Sequence, residues 1–259
     1  MTFDLWQFAS LFKSNEIGHR VGLKTTGSWR RMVLQQVVVT GVKQTIPIAL
    51  GYIPVGFAYG VLAKKTGLSD LNTLLMSVIV FAGSAQLIAV GLIGSGVAAV
   101  SVVVTTFIVN LRHLLMSASL SPFLRKWRRR EVAAMTFQLT DETFGLHAVR
   151  FGSGQTDKAE TLVINMVAQL SWIIGTWLGL VSSRLISDVR PFGLDFALPA
   201  MFAALLVAQV RDLSHVVVGL FSGGLAVLLL SLGVEQWSVM LATVAGATIG
   251  LGVSAWIRG

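Results

Sequence analysis

LLMSVIVFAGSAQLIAVGLIGSGVAAVSVVVTTFIV, from Leu74 to Val109, contains no charged residue. An α-helix needs about 20 apolar residues to cross the hydrocarbon core of a bilayer, so this stretch is long enough for more than one passage. Leu213 to Leu232 is a second such run. A transmembrane barrel would show segments of about ten residues alternating apolar and polar, whereas these runs are apolar on every side. The reading is an all-α integral membrane protein, a polytopic bundle of about seven to eight transmembrane segments, some of them discontinuous.

Composition agrees. Of 259 residues, 54% are hydrophobic and 12% charged, with a mean hydropathy of +0.76; a soluble domain carries about a quarter charged residues. The net charge of +8 comes mainly from the first 43 positions and from RKWRRR, Arg125 to Arg130. Positive charge beside membrane spans is an orientation signal, so no nucleic-acid partner is expected. Without cysteine there are no disulfides and no thiolate metal sites, and four scattered histidines lack metal-ligand spacing. No metal or cofactor is expected. No signal-peptide pattern opens the chain, because charges from Asp4 to Arg31 precede any apolar run. GxxxxGK[ST], HExxH and GxSxG are all missing, and no enzyme is expected.

Residues 1–42 read as a basic N-terminal extension, water-exposed or interfacial, in which Val33 to Val42 forms a short amphipathic helix; residues 43–259 form the transmembrane transporter domain. The first span, Gln44 to Ala63, holds Pro47, Pro54 and three glycines, which predicts a broken or kinked hydrogen-bond ladder. Leu71 to Ser95 carries AGSAQ, Ala82 to Gln86, in its middle and reads as discontinuous. Val97 to Leu120 follows, closed by Ser121 and Pro122. Val132 to Val149 is a more polar fourth helix that lipid cannot surround. Thr161 to Ser183, Leu194 to Val210, Leu213 to Leu232 and Gln236 to Ile257 complete the series. RKWRRR should be cytoplasmic. If every segment spans, the basic N-terminus then falls outside; a re-entrant second segment would place both inside.

On the third segment Thr106, Asn110, His113 and Ser117 follow steps of four, three and four, one polar stripe of a helix. Arg112 lies off the stripe, and a charge near the bilayer centre costs about 2.5 to 3.5 kcal/mol unless it is paired or shallow. The fourth segment repeats that spacing with Thr136, Thr140, Thr143 and His147, beside Asp141 and Glu142. Neighbours on a helix point about 100° apart, so one carboxylate at most faces Arg112 or His113, and Asp141 is expected inward. The alternative is an interfacial helix with both carboxylates solvated. In the fifth segment Asn165, Gln169, Trp172 and Thr176 share a face, while Ser171, Gly175 and Gly179 form a row of small residues suited to close helix packing. Ala242, Gly246, Gly250 and Ser254 repeat that row in the last helix, a face that would equally dock a small membrane subunit. Asp195 stands at the start of the sixth segment, where a carboxylate caps a helix or serves the pathway.

PVGFAYGVLAKKTGLS (Pro54 to Ser69), FAGSAQ (Phe81 to Gln86), NLRHLLMSASLSP (Asn110 to Pro122), TDETF (Thr140 to Phe144), LSWIIGTWLG (Leu170 to Gly179) and GLDFALPA (Gly193 to Ala200) together resemble the AzlC family, also called the YgaZ type. The resemblance runs from about Gly41 to Ser254. It implies the large subunit of a bacterial inner-membrane exporter of branched-chain or similar hydrophobic amino acids, working with a small multi-span subunit of the AzlD or YgaH type. Carried onto this chain, it places Gln86, Asn110, His113, Trp172 and Asp195 along the substrate pathway, with Arg112, Asp141 and Glu142 as proton-coupling or ion-pair candidates. The competing reading is a membrane scaffold or accessory subunit with no pathway of its own.

Overall fold

In the computed structural model, residues 27–186, 213–233 and 238–258 are described, together with 193, 196, 199, 200, 203, 206, 207 and 210. Every regular element among them is helical. The chain divides into two compact units, Met1–Leu198 and Pro199–Gly259.

The first unit opens with α1, Gly27–Lys65, a single helix of 39 residues. The expected break at Pro47 and Pro54 is absent. Each proline removes one backbone donor, but the turns on either side keep theirs, and contact with another helix supports the rod along its length. No interruption of the backbone falls at residue 42, where the sequence changes character.

The second segment is broken. Helix α2, Asp70–Leu75, passes into a π turn, Met76–Val80, and stops at Phe81; α3, Gly83–Gly94, then begins. Phe81 has φ 40° and ψ 52°, a left-handed conformation that is uncommon for a bulky side chain and costs roughly 1 kcal/mol or more. Helix α4, Ala99–Leu120, continues through a short 3-10 turn, Ser121–Leu124.

The expected single fourth helix is two. Helix α5, Arg129–Phe137, ends before Gln138, and α6, Asp141–Gly152, starts after Thr140. Thr140 is the N-cap of α6, its hydroxyl accepting from the Thr143 N–H, and Asp141 and Glu142 occupy the favourable first turn. Capping chemistry therefore overrides the apparent stripe, and Thr136 is not in register with Thr143 and His147.

Helix α7, Lys158–Ser182, is capped by Asp157 and unbroken. It forms the main contact with α1, and glycines on both helices permit it. A Cβ added at Gly56 would lie 2.8 Å from the Trp172 carbonyl oxygen, and one at Gly175 would lie 2.5 Å from that of Ile53. Gly60 meets Thr176 and Gly179 meets Phe57 in the same way. Backbone thus packs on backbone, which is how helices associate where apolar surface gains nothing by leaving lipid.

Near RKWRRR, a core of Met116, Leu120, Leu124, Trp127, Met135, Leu139, Phe151 and Leu162 joins α4, α5, α6 and α7. Charges border it in pairs. Lys158 meets Glu131 at 2.9 Å, and Glu160 meets Arg150 at 2.9 Å while accepting from Gln44 at 2.8 Å. Burial pushes the Glu131 carboxyl up, but the Lys158 ammonium and the Arg128 N–H outweigh it and hold the group below the usual carboxylate range.

In the second unit, α8, Leu213–Ser231, packs on α9, Ser238–Arg258. Gly246 lies against Ser222 and Val218 of α8, and Gly250 against Val218, so part of the small-residue row is occupied within the chain. Most of the sequence read as a sixth segment, Leu194 to Val210, lies outside the described residues. Four helices among those described are long and apolar enough to cross a membrane: Leu34–Lys65, Ala99–Leu124, Lys158–Ser182 and Leu213–Ser231.

Candidate functional site

A helix that stops inside apolar surroundings leaves backbone carbonyls at one end and N–H groups at the next beginning, and each must find a partner. One face of α7 supplies several. Gln169 donates to the Val78 carbonyl at 2.9 Å, in the middle of the first broken segment's π turn. Its own carbonyl accepts from Gln138 at 2.7 Å, in the gap of the second. Four residues earlier, Asn165 donates to the Met135 carbonyl at 3.2 Å, one of the last carbonyls of α5, and contacts His147 Nε2 of α6 at 2.7 Å. Further on, Thr176 and Ser77 share a hydrogen bond of 2.9 Å. The face expected from the four, three, four spacing thus holds both breaks in place.

Trp172, on the same face, is 2% exposed. Its ring lies against Gly83, the first residue of α3, where a Cβ would come within 2.8 Å of it. Tyr59 stacks on it with centroids 6.2 Å apart, and Tyr52 meets it edge-on at 5.6 Å. Tyr52 also packs against Phe81, 6.2 Å away, which helps to hold the left-handed residue. These are the chain's only two tyrosines, seven residues apart on α1 and so on one face of it.

Arg112 of α4 joins the breaks from the other side. Its guanidinium is 2.8 Å from the Asp141 carboxylate in the first turn of α6, and it also donates to the Ser84 hydroxyl in the first turn of α3. Both ends of this pair are half-buried. Glu142 turns elsewhere: its Oε2 lies 2.6 Å from the Tyr52 hydroxyl, which is 2.5 Å from Thr140 Oγ1. A Tyr52→Phe change removes a hydrogen bond to a charged group, an interaction of about 1.5 to 3 kcal/mol. Thermal unfolding of the purified protein should show that loss, and an unchanged midpoint would deny the link any weight.

The structure therefore gathers Gln86, Arg112, Asp141, Glu142 and Trp172 around the two breaks. Gln86 is fully buried, donating to Ser77 Oγ at 3.2 Å, with its Oε1 unpartnered. Trp172 Nε1, Asn110 Oδ1 and His113 Nε2 are also buried without partners. Asn110 and His113 stay on the half-buried face of α4, and Asp141 pairs with Arg112 rather than with His113. Asp195 lies outside the described residues. Sequence reasoning missed Tyr52, Tyr59, Ser77 and Ser84. The rarity of tyrosine, with both copies on one face of a glycine-rich span, was the available signal. No cluster suited to a metal ion occurs among the described residues.

Two broken segments meeting at a buried polar junction, braced by a continuous pair of helices, make a polytopic α-helical membrane protein, with interruptions of the kind that transporters also carry. Residues 47–186 match the family described as AzlC protein. The chain is 30% identical over 217 residues to the inner membrane protein YgaZ of Escherichia coli K12, covering 81% of this chain and 86% of that one. It is 31% identical to an uncharacterized membrane protein of Archaeoglobus fulgidus, over 80% of this chain and 90% of the other. With the branched-chain amino acid transport protein AzlC of Bacillus subtilis 168 it shares 27% identity over 64% of its own length and 65% of that protein's. The chain belongs to the AzlC family. No solved structure is a significant match.

Proposed function

We propose that this chain is the large subunit of a secondary-type exporter that carries branched-chain or similar hydrophobic amino acids out of the bacterial cytoplasm across the inner membrane. The observation that carries the reading is the ion pair Arg112 to Asp141, set where two interrupted segments start again as α3 and α6. Interrupted helices in a membrane persist where protein or a water-filled cavity receives their backbone, and transporters use such breaks to bind substrates. The name of the Bacillus subtilis relative supports the substrate class.

Apolar and aromatic side chains around the break, Phe81, Tyr52, Tyr59 and Trp172, enclose the aliphatic part of the substrate. Asp141 couples outward movement to inward proton flow. A small multi-span subunit of the AzlD or YgaH type completes the complex. The test is intracellular valine, leucine, isoleucine and methionine in cells fed the matching dipeptides, with and without this chain and its small partner. Lower internal amino acid and faster appearance outside are expected; identical pools for all four would remove the substrate class. Asp141→Asn should abolish proton-driven efflux while leaving the protein in the membrane, and undiminished coupled efflux would refute the role of Asp141.

A further inference from the structure

We propose that the Arg112 to Asp141 pair is itself the substrate site: it opens to admit an amino-acid zwitterion head to tail, Arg112 taking the carboxylate and Asp141 the ammonium. This rests on the transport reading above and specifies how that site recognises its substrate.

Charge balance leads there. Arg112 lies at the N-termini of two helices, through Ser84 of α3 and Asp141 of α6. Helix N-termini attract anions and repel cations, so a guanidinium there needs a carboxylate beside it. In the structure Asp141 fills that need. The N-cap of α3 is Ala82, which has no side-chain oxygen and makes no capping bond; the first N–H groups of α3 are therefore free for an acceptor. Trp172, 2% exposed and with Nε1 unpartnered, lays the benzene edge of its indole rather than its N–H edge against Gly83. Gln86, in the next turn of α3 and fully buried, keeps an unpartnered Oε1. A buried acceptor left open, on a side chain that Ser77 holds in the break, suits a ligand that brings a donor group as well as its carboxylate.

A zwitterion satisfies all of these at once. Its carboxylate replaces Asp141 on Arg112 and reaches the start of α3, and its ammonium meets the displaced Asp141 carboxylate. No net charge is added, and no charge loses its partner, which is what makes exchange affordable away from bulk water. An amine alone would leave Arg112 unpaired, and a carboxylate alone would leave Asp141 unpaired. Among the described residues, the other charged or titratable groups around Asp141 are His113 beside Arg112 on α4, Glu142 on α6 and Tyr52 on α1; Glu142 is engaged by Tyr52. Toward α5 and α6, α7 presents the uncharged Asn165 and Gln169.

Coupling follows from the same atoms. A proton taken up by Asp141 from the outer side cancels the charge that holds the ammonium, so proton and substrate compete for one carboxylate. Competition of this kind gives exchange, proton inward against amino acid outward, as export requires. Were the two to bind together, the proton gradient would drive uptake.

The test uses the purified full chain in lipid nanodiscs and measures binding of leucine, N-acetyl-leucine and leucinamide. Leucine should bind at least tenfold tighter than either derivative, the loss expected from one charge-assisted hydrogen bond. Its affinity should fall on acidification, approaching about tenfold per pH unit once Asp141 is mostly protonated. In Asp141→Asn that pH dependence should vanish. The reversed pair Arg112→Asp with Asp141→Arg should recover part of the thermal stability that either single change loses but not leucine binding, because an ammonium would then face the start of α3. Equal binding of all three ligands, or leucine binding regained in the reversed pair, would overturn the proposal while leaving the transport reading intact. The ligand comparison needs no variant to fold. If no amino acid binds the unaltered protein, both readings fall.

Discussion

Gly179→Leu is expected to prevent stable folding, with a loss of about 3 kcal/mol or more relative to the unaltered chain. A Cβ at Gly179 runs into the Phe57 carbonyl and the backbone that follows it. The obstacle is main chain on a continuous helix, so no side-chain rotamer can clear it. To accept the new group, α1 and α7 would have to separate, and Gly56, Gly60 and Gly175 would lose their contacts with it. Gly51→Leu on α1 is the control, because nothing lies within 4 Å of its Cβ direction. It should change stability by no more than about 0.5 kcal/mol. Thermal unfolding of the purified proteins reads the difference, and similar midpoints for the two variants would mean that the glycine contact does not hold the unit together.

Gln169→Leu is the second large effect. It leaves the Val78 carbonyl and the Gln138 amide, both part-buried, without their partners, and each such loss costs about 1 kcal/mol. Both breaks should loosen together, although they lie in different segments. The absence of cysteine makes this measurable: Ala82→Cys or Leu139→Cys would carry the single thiol of the chain, and both positions are 1% exposed. Thiol labelling at each should quicken when Gln169→Leu is added. Faster labelling at one site alone would show that Gln169 does not couple them.

The sequence exposed helix lengths and the first break well, because hydrophobic runs and the small residues of AGSAQ act locally. Helices α4 and α7 begin and end within a few residues of the limits set by hydropathy. Two features resisted the same reading for opposite reasons. Proline in α1 suggested interruption, yet tertiary contact with α7 carries the helix through. Periodic threonines in the fourth segment suggested continuity, yet Thr140 followed by two acids is a helix start. The isolated charges Arg112 and Asp141 stand out in apolar surroundings, since each needs a partner. Tyr52 and Tyr59 do not, because an aromatic ring in a membrane span looks the same from sequence whether it faces lipid or protein. Their neighbours Phe81 and Trp172 come from distant segments, and only folding places them together.

The unbroken pair α1 and α7 differs mechanically from everything attached to it. Parting those two would undo a contact of main chain on main chain at Gly56 and Gly60 of α1 and at Gly175 and Gly179 of α7. Shifting a half-segment across α7 asks for side-chain contacts alone, the hydrogen bonds of Asn165, Gln169 and Thr176, each with a net value of about 1 kcal/mol, and the packing of Trp172 on Gly83. The pair is thus a fixed spine, and the interrupted segments hang on it. The joints that rest on side chains alone are the two interruptions around which Arg112 and Asp141 meet.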